Sequence, residues 1–281
     1  MEFTQEVRKA TDPIYQKISK VMPEIEWSVH APYIHKINKL KKEKNAVILA
    51  HNYQTPEIYH GVADFSADSL ALAIEASKTS ADIILMAGVH FMAETAKLMS
   101  PNKKVILPDM DAGCSLSSSI TGKDVRLLKE KYPGVPVVSY VNTSAEVKAE
   151  TDVCCTSANA VKIVKSLGVK RVIFLPDDYL AKYVASQTDV EIISWKGICI
   201  VHDQFNKKEI EDIRKNNPGI KIIAHPECPP DVIEASDFAG STSGMIKYVK
   251  DNQPKKVTVS YTHLRAHETK ANLVCRLLLE K

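Results

Sequence analysis

The sequence of 281 residues has no apolar run near the roughly 20 residues that a membrane-spanning helix needs. Its first 37 residues are polar and include three prolines, so a secretory signal peptide is not expected there. We therefore predict a cytoplasmic protein without membrane association. Thiols stay reduced in that compartment, so the six cysteines are candidates for metal binding or catalysis before disulfides.

Several common site motifs are also missing. No Cys-x-x-Cys pair occurs, which argues against a zinc ribbon or a thioredoxin-like site. Neither Gly-x-Gly-x-x-Gly nor a Walker phosphate loop occurs, so nucleotide binding has no support. The net charge is +3, but residues 255–281 carry six Lys or Arg against two Glu, which leaves −1 for the other residues. A nucleic-acid-binding protein is therefore not expected.

A short apolar stretch that ends abruptly in polar residues occurs three times. The copies are residues 47–53, 136–144 and 220–228. Such stretches are too short for a helical core and are typical of buried parallel strands that end at a site. The copies keep their register, because His51 and Tyr140 lie 89 residues apart and Tyr140 and His225 lie 85 residues apart. This period predicts three related units.

Strands and helices alternate within each copy, which predicts an α/β fold with parallel sheets covered on both faces. The predicted parts are an N-terminal helical segment over residues 1–45 and α/β units over 46–133, 134–218 and 219–254. Residues 255–281 do not resemble the repeat, and we expect them to be a foreign tail that truncates the third unit.

Ligands of parallel sheets bind beyond the carboxyl ends of the strands, where all three polar stretches fall. These stretches supply six groups for hydrogen bonding and proton transfer: His51, Tyr53, Tyr140, Asn142, His225 and Glu227. A single histidine at a strand end is often structural. The pair His225 and Glu227 is a stronger signal, because alternate residues of a strand face the same side and one group can orient what the other deprotonates.

Hydroxyl residues recur at three predicted helix starts, namely Ser69, Ser157 and Thr242. Any one of them is readily explained as an N-cap. Their recurrence opposite the polar strand ends favours a second interpretation, because helix N-termini bind carboxylates and phosphates. A substrate set with several anionic groups is the natural expectation.

Cys114 and Cys199 also lie 85 residues apart, each in a loop of small residues after the third strand of its unit. A single reduced cysteine is usually a small buried hydrophobe. Two at matched positions favour convergence on a metal, and the same spacing puts a third ligand near position 284, beyond the last residue. Three further cysteines break this symmetry and are interpreted as packing residues or neighbours of the site: Cys154, Cys155 and Cys228.

Seven segments carry a further signal, namely residues 51–54 (His-Asn-Tyr-Gln), 88–94 (Gly-Val-His-Phe-Met-Ala-Glu), 109–114, 138–144, 155–159, 225–228 and 240–244. Taken together, these segments resemble quinolinate synthase over roughly residues 30–250. The resemblance implies three pseudo-symmetric, three-layer α/β/α units around a central cavity. It also implies a [4Fe–4S] cluster with one open iron, held by one cysteine per unit, here Cys114 and Cys199. Cys275 falls nine residues before the expected third position and is not assigned to the cluster.

The implied reaction condenses iminoaspartate with dihydroxyacetone phosphate to quinolinate, with loss of phosphate and water, in de novo NAD biosynthesis. A functional link to an L-aspartate oxidising enzyme is implied as well. The catalytic residues are expected to be Glu227 as principal base with His225, Tyr140 and Tyr53. Substrate binding is expected from His51, Ser69, Tyr140, Asn142, Ser157, His225, Glu227 and Thr242. The alternatives are a non-catalytic metal-binding protein and an inactive truncated fragment.

Overall fold

The computed structural model describes residues 1–260, and their contacts form two compact units. The first unit is Met1–Ala112, and the second contains residues 113–260. The strands of the described residues form three separate sheets, and all of their pairings are parallel. The predicted α/β fold with short parallel sheets is therefore confirmed. No helix between residues 1 and 260 combines the length and apolarity that crossing a bilayer requires.

The first unit consists of two N-terminal helices followed by a four-stranded sheet. Its elements are α1 (Gln5–Ile18), α2 (Glu24–Glu43), β1 (Ala46–His51), α3 (Pro56–Tyr59), β2 (Phe65–Ala67), α4 (Ser69–Lys78), β3 (Ile83–Ala87), α5 (His90–Met99) and β4 (Lys104–Ile106). The order β2-β1-β3-β4 puts β1 inside the sheet. Trp27 of α2 and Ile48 of β1 share one buried apolar cluster, which packs the N-terminal helices onto this sheet.

The second unit contains the other two sheets. The elements of the earlier sheet are α6 (Gly122–Lys131), β5 (Val137–Tyr140), α7 (Ala145–Ala149), β6 (Val153–Cys155), α8 (Ala160–Ser166), β7 (Arg171–Leu175), α9 (Asp178–Ser186) and β8 (Glu191–Ser194). Those of the later sheet are α10 (Lys207–Asn216), β9 (Lys221–Ala224), α11 (Pro230–Ala235), β10 (Phe238–Ala239), α12 (Thr242–Asn252) and β11 (Val257–Ser260). Their strand orders are β6-β5-β7-β8 and β10-β9-β11, so β5 and β9 are interior strands like β1.

The repeat is visible in single hydrogen bonds. In each sheet an aspartate directly before the short edge strand accepts a hydrogen bond from a backbone N–H near the start of the interior strand. The pairs are Asp64 with Ile48 (2.8 Å), Asp152 with Val137 (2.8 Å) and Asp237 with Ile222 (2.9 Å). The backbone N–H of each aspartate also donates to the carbonyl of the same partner. The pseudo-symmetry predicted from the spacing therefore extends to the way each short edge strand is attached to the interior strand of its own sheet.

The turn before each interior strand repeats as well. Asn45, Gly134 and Gly219 have φ of 46°, 75° and 80°, and they are separated by the same 89 and 85 residues as the strand ends. This left-handed region costs glycine nothing, and asparagine tolerates it better than most other residues. Gly134 and Gly219 therefore mark a backbone requirement of the repeat.

The third sheet continues further than the sequence analysis expected. Residues 257–260 form β11, which pairs in register with β9 from Val257 opposite Lys221 to Ser260 opposite Ala224. β3 and β7 pair with β1 and β5 in the same way. The expectation that the repeat stops at residue 254 is therefore wrong for these residues. The change from lysines to alternating β-branched residues at 255–259 was misread as foreign.

Two details of the helices also differ from expectation. The sequence of residues 69–78 predicts Leu70, Ala73 and Ile74 on the buried side of α4. In the structure Leu70 and Ile74 are exposed, and the buried residues are Leu72, Ala73 and Ala76. Nearly every residue in this stretch is apolar or small, so the periodicity does not select one face. Ser157 was expected to begin a helix, whereas α8 begins at Ala160.

Candidate functional site

In the second unit, the polar residue that ends β5 meets the polar residues that follow β9. The hydroxyl of Tyr140 donates a hydrogen bond to Oε1 of Glu227 at 2.6 Å. Tyr140 is 6% exposed and Glu227 is 0% exposed. So short a bond between a phenol and a carboxylate is charge-assisted, and burial removes the competition of water. Residues of two different sheets are thus joined at the ends of their interior strands.

His225 is held in one tautomer by its neighbours. Its Nδ1 accepts the backbone N–H of Glu227 at 3.4 Å, and its Nε2 lies 3.0 Å from Oγ of Ser157. Because Nδ1 accepts, the ring proton of the neutral imidazole is on Nε2, which donates to the serine hydroxyl. The site therefore presents a histidine N–H to Ser157 and a carboxylate to Tyr140.

His225 and Glu227 were expected to share a side because they alternate along a strand. The strand β9 ends at Ala224, so both residues lie in the turn that follows it. The hydrogen bond from the Glu227 N–H to the His225 ring folds this turn, and His225 Nδ1 is 3.6 Å from Glu227 Oε1. The two side chains do meet, but a turn brings them together and the pleat of a strand does not.

His202 also belongs to this site, although the sequence analysis did not single it out. It is fully buried in the short 3-10 helix His202–Gln204. Its Nδ1 lies 3.3 Å from Oε2 of Glu227, and its ring stacks on His225 with centroids 5.1 Å apart. The available signal was its place three residues after Cys199, in the same loop as a predicted metal ligand.

The loops that carry Cys114 and Cys199 are joined through Ser115. Its hydroxyl donates to the carbonyl of Ile198 at 3.2 Å and accepts the N–H of Ile200 at 3.3 Å. A sulfur, a nitrogen and an oxygen from Cys199, His202 and Glu227 all lie within 4.8 Å of one another. The two symmetric cysteines therefore lie in adjacent loops, and Cys199 is beside the buried carboxylate.

Both thiols are shifted away from ionisation. Burial, reinforced by the charge of Glu227, raises the pKa of Cys114 to about 11. Burial also raises the pKa of Cys199, and Glu227 and Cys114 add to the effect. A cationic metal centre reverses this balance by binding the thiolate forms. Thiolates are the usual ligands of iron–sulfur clusters, so these two cysteines fit such a group, and residues 1–260 supply two of its expected ligands.

Asp177 is a second buried residue that sequence reasoning missed. It lies two residues after β7 and caps α9, where its Oδ1 accepts the N–H groups of Tyr179 and Leu180 at 2.8 and 3.0 Å. Burial, followed by the charge of Glu227, raises the pKa of Asp177 well above its usual range. Its position just beyond the end of the buried strand β7 was the available signal.

In the first unit, His51 repeats the arrangement of His225. Its Nδ1 accepts the backbone N–H of Tyr53 at 3.5 Å, and the two rings lie 4.2 Å apart. The Tyr53 hydroxyl lies 3.9 Å from Sδ of Met92, next to Gly88. His51 is buried at the end of β1. The structure thus forms the same histidine turn at corresponding positions of the repeat.

The three recurring hydroxyls are not N-caps, which removes the simpler of their two interpretations. Asp68 caps α4 in place of Ser69, and Ser241 caps α12 in place of Thr242. Ser157 precedes α8 by three residues and contacts His225. Ser69, Ser157 and Thr242 are partly exposed, so their hydroxyls are accessible. Asn142, the remaining predicted residue, is buried just after β5.

The other cysteines have different surroundings. Cys228 is buried in an apolar cluster with Ile222 and Val232. Cys155 is buried at the end of the edge strand β6, whereas Cys154 is exposed. Cys275, which the sequence analysis excluded from the cluster, lies outside the described residues.

The family model and the similar proteins described next agree on one family. The family model described as "NadA: Quinolinate synthetase A protein" matches residues 35–272, which extends past residue 254. A quinolinate synthase of Sinorhizobium fredii (strain NBRC 101917 / NGR234) is 60% identical over 257 residues, which are 92% of this chain and 72% of that protein. One of Caulobacter vibrioides (strain NA1000 / CB15N) is 58% identical over 261 residues, which cover 92% and 71%.

Proposed function

This chain belongs to the quinolinate synthase family, and we propose on that basis that it condenses iminoaspartate with dihydroxyacetone phosphate to quinolinate. The products include phosphate and water, and the pathway is NAD biosynthesis. Iminoaspartate differs from aspartate by two electrons and two protons, so an L-aspartate oxidising enzyme is the expected source. The observation that carries the proposal is the buried hydrogen-bond network of Tyr140, Glu227, His225 and Ser157 beside the cysteine loops.

Glu227 is proposed as the principal base. The reaction requires removal of protons from carbon and nitrogen during condensation and dehydration, and a positioned carboxylate is suited to that role. The Tyr140 hydroxyl fixes Oε1 of this carboxylate at 2.6 Å. His202 lies 3.3 Å from Oε2, so a proton that Glu227 accepts has a neighbouring nitrogen to which it can pass.

His225 and Ser157 are proposed to bind and protonate substrate oxygen. The Nε2–H of His225 points at the Ser157 hydroxyl, and a substrate oxygen that enters there can accept from both groups. In the first unit, His51 and Tyr53 would contribute in the corresponding way. Ser69 and Thr242 are the first residues of α4 and α12, where free N–H groups favour carboxylate or phosphate. Asn142 completes the proposed substrate-binding set.

A [4Fe–4S] cluster would be held by Cys114 and Cys199, together with a third ligand outside the described residues. When bound, it supplies an open iron that acts as a Lewis acid on a substrate oxygen. The residues of this chain supply its surroundings, because the Ser115 bridge holds the two cysteine loops together and Glu227 lies beside Cys199.

A non-catalytic metal-binding protein is the main alternative. A structural metal site needs the thiols, but it does not need a buried carboxylate bound to a tyrosine, nor a histidine oriented toward a serine. Burying ionisable groups is costly unless they are paired. The four-residue network therefore favours catalysis over metal binding alone. An inactive fragment is distinguished from an enzyme by turnover alone.

The proposal is tested with a parent chain extended beyond residue 281 to carry a cysteine near position 284, after anaerobic reconstitution with iron and sulfide. Iminoaspartate and dihydroxyacetone phosphate are supplied, and quinolinate is measured by chromatography. The parent chain should form quinolinate, and Glu227→Gln should reduce the rate by roughly 10²–10⁴-fold, the usual contribution of a general base. Glutamine keeps an oxygen that can accept the Tyr140 hydrogen bond, so the network should survive.

Glu234→Gln is the matched control, because that carboxylate is 79% exposed on α11 and should not affect turnover. Iron and sulfide content should be equal in all three proteins. Metal binding without any quinolinate in the parent would favour the non-catalytic alternatives. Equal turnover in Glu227→Gln would assign the base to another residue, with His225 and Tyr53 as the next candidates.

A further inference from the structure

Only one of the two carboxylate oxygens of Asp177 makes hydrogen bonds with the described residues. Oδ1 accepts the N–H groups of Tyr179 and Leu180 at the start of α9, which is the usual role of an N-cap. Oδ2 is buried and has no hydrogen-bond partner among the described residues. A buried oxygen without a partner destabilises a protein, and such groups in native structures call for an explanation.

The first unit shows that the fold does not require a carboxylate at this position. The matching residue is Val89, which precedes α5 and makes no side-chain cap. The corresponding backbone hydrogen bond nevertheless forms in both places. The His90 N–H donates to the carbonyl of Ala112 at 2.8 Å, and the Asp178 N–H donates to the carbonyl of Gly197 at 2.8 Å. The repeat therefore forms with valine, and the buried carboxyl is an addition of the second unit.

The backbone around Asp177 is fixed to the loop of Cys199. Residues 177 and 197 form a parallel bridge, and the Gly197 N–H donates to the carbonyl of Pro176 at 3.0 Å. A Cβ at Gly197 would lie 2.5 Å from that carbonyl oxygen, so only glycine permits this approach. Gly197 is two residues before Cys199, and the charge of Asp177 also acts on Cys114. The extra carboxyl is therefore anchored to the loop of Cys199 and lies within electrostatic range of Cys114.

We propose that Asp177 is a positioning residue of the metal centre, in which the protonated Oδ2 donates a hydrogen bond to a sulfur held at the cysteine pair. This inference rests on the metal site of the proposed function. Thiolates, sulfides and the Glu227 carboxylate all accept hydrogen bonds, so only a donor can pair with them. The raised pKa of Asp177 agrees with this role, because burial and Glu227 keep the proton on the carboxyl.

Three variants of the full 281-residue chain distinguish the role of Oδ1 from that of Oδ2. Asp177→Asn keeps a capping oxygen and replaces Oδ2 with a permanent donor. Asp177→Ser keeps a capping hydroxyl but lacks the second group, and Asp177→Val introduces the residue of the first unit. Each reduced chain is titrated anaerobically with Co²⁺, whose thiolate charge-transfer absorption reports binding to cysteine. Cys199→Ala identifies the part of the absorption that belongs to this site.

Asp177→Asn should bind Co²⁺ like the parent chain. Asp177→Ser should bind it about ten- to a hundredfold more weakly, the usual effect of losing a hydrogen-bond partner of a metal ligand. The melting temperature of metal-free Asp177→Ser should equal or exceed that of the parent, because the buried unpaired oxygen is gone. Asp177→Val should bind as weakly as Asp177→Ser and should also melt at a lower temperature, because the cap is lost.

Equal Co²⁺ affinity in the parent and Asp177→Ser would overturn the inference while leaving the proposed metal site intact. A lower melting temperature of metal-free Asp177→Ser with unchanged affinity would show that Oδ2 serves the fold. Weak binding in Asp177→Asn would show that Oδ2 is not a donor. A parent chain without any Cys199-dependent absorption would remove the proposed metal site itself, and the inference with it.

Discussion

The hydrogen bond between Tyr140 and Glu227 should contribute far more to stability than a surface bond of the same length. The chain contains the comparison, because the Tyr179 hydroxyl donates to Oδ1 of Asp203 at the same 2.6 Å. Tyr140 and Glu227 are almost entirely buried, whereas Asp203 is exposed. Both pairs lie in the second unit, so burial is the main difference between them.

The expected magnitudes follow from that difference. A buried hydrogen bond to a charged group contributes about 1.5–3 kcal/mol, and its loss leaves Glu227 one donor short in a site closed to water. An exposed charged pair contributes roughly 0.2–1 kcal/mol, because water competes for both partners. The hydrogen bond to Asp203, followed by burial, raises the pKa of Tyr179 to about 12.

Two double-mutant cycles measure these energies. One uses Tyr140→Phe, Glu227→Ala and their combination, and the other uses Tyr179→Phe, Asp203→Ala and their combination, because alanine removes the acceptor in each pair. Urea unfolding of the metal-free chain is followed by Trp195 fluorescence in a Trp27→Phe background, so that the signal comes from the second unit. The buried cycle should give a coupling energy at least twice that of the surface cycle. Equal couplings would refute the claim that burial strengthens the Tyr140–Glu227 bond.

Two further predictions concern the thiols and the edge of the third sheet. After the chain extended with a cysteine near position 284 is reconstituted with iron and sulfide, Cys114→Ala and Cys199→Ala should each lose the brown absorbance. Cys154→Ala, Cys228→Ala and Cys275→Ala should keep that of the parent. Retention in Cys199→Ala with loss in Cys228→Ala would contradict the symmetry argument. Burial raises the pKa of Asp237, but the Ile222 N–H and the charges of Lys221 and Arg214 outweigh this and lower it. Asp237→Asn should therefore reduce the free energy of unfolding at pH 7 and reduce it less as the pH falls below about 3.9, the usual aspartate pKa. The exposed Asp251→Asn is the control and should show little effect at any pH.

Much of the fold follows from local signals in the sequence. The interior strands β1, β5 and β9 are short apolar runs between a turn and a polar stretch, so a change of residue type marks each end of the strand. The turn needs a left-handed residue, which Gly134 and Gly219 supply. The polar stretch begins where the sheet ends. Such strands can be recognised in the sequence because a strand residue would not be tolerated in the turn, nor a turn residue in the strand.

The contacts of the site follow less directly, because they join residues far apart in the chain. Ser157 was expected to begin a helix, but its position is explained by a histidine 68 residues later. The bond between Tyr140 and Glu227 spans 87 residues and two sheets. Sequence spacing indicated that these residues occupy equivalent strand ends, but equivalence by itself does not say which ends meet.

Asp177 escaped notice for a different reason. An aspartate before a helix is ordinarily a cap, and this one is a cap. Its second oxygen becomes informative only when the structure shows it buried, and when the repeat shows Val89 in the same place. When a structural role is enough to explain a residue type, the sequence gives no signal of a further role.

The repeat separates the residues that build the sheets from those that differ between them. Before the interior strands the units agree, with left-handed turns at residues 45, 134 and 219. They agree again at the edge strands, where Asp64, Asp152 and Asp237 make the same bond. At the ends of the interior strands the corresponding residues are not all alike, because the second unit has Tyr140 where the first and third have His51 and His225. This difference lies at the carboxyl ends of the strands, where parallel sheets bind their ligands, so it is a place at which a repeated fold can recognise a ligand that is not itself symmetric.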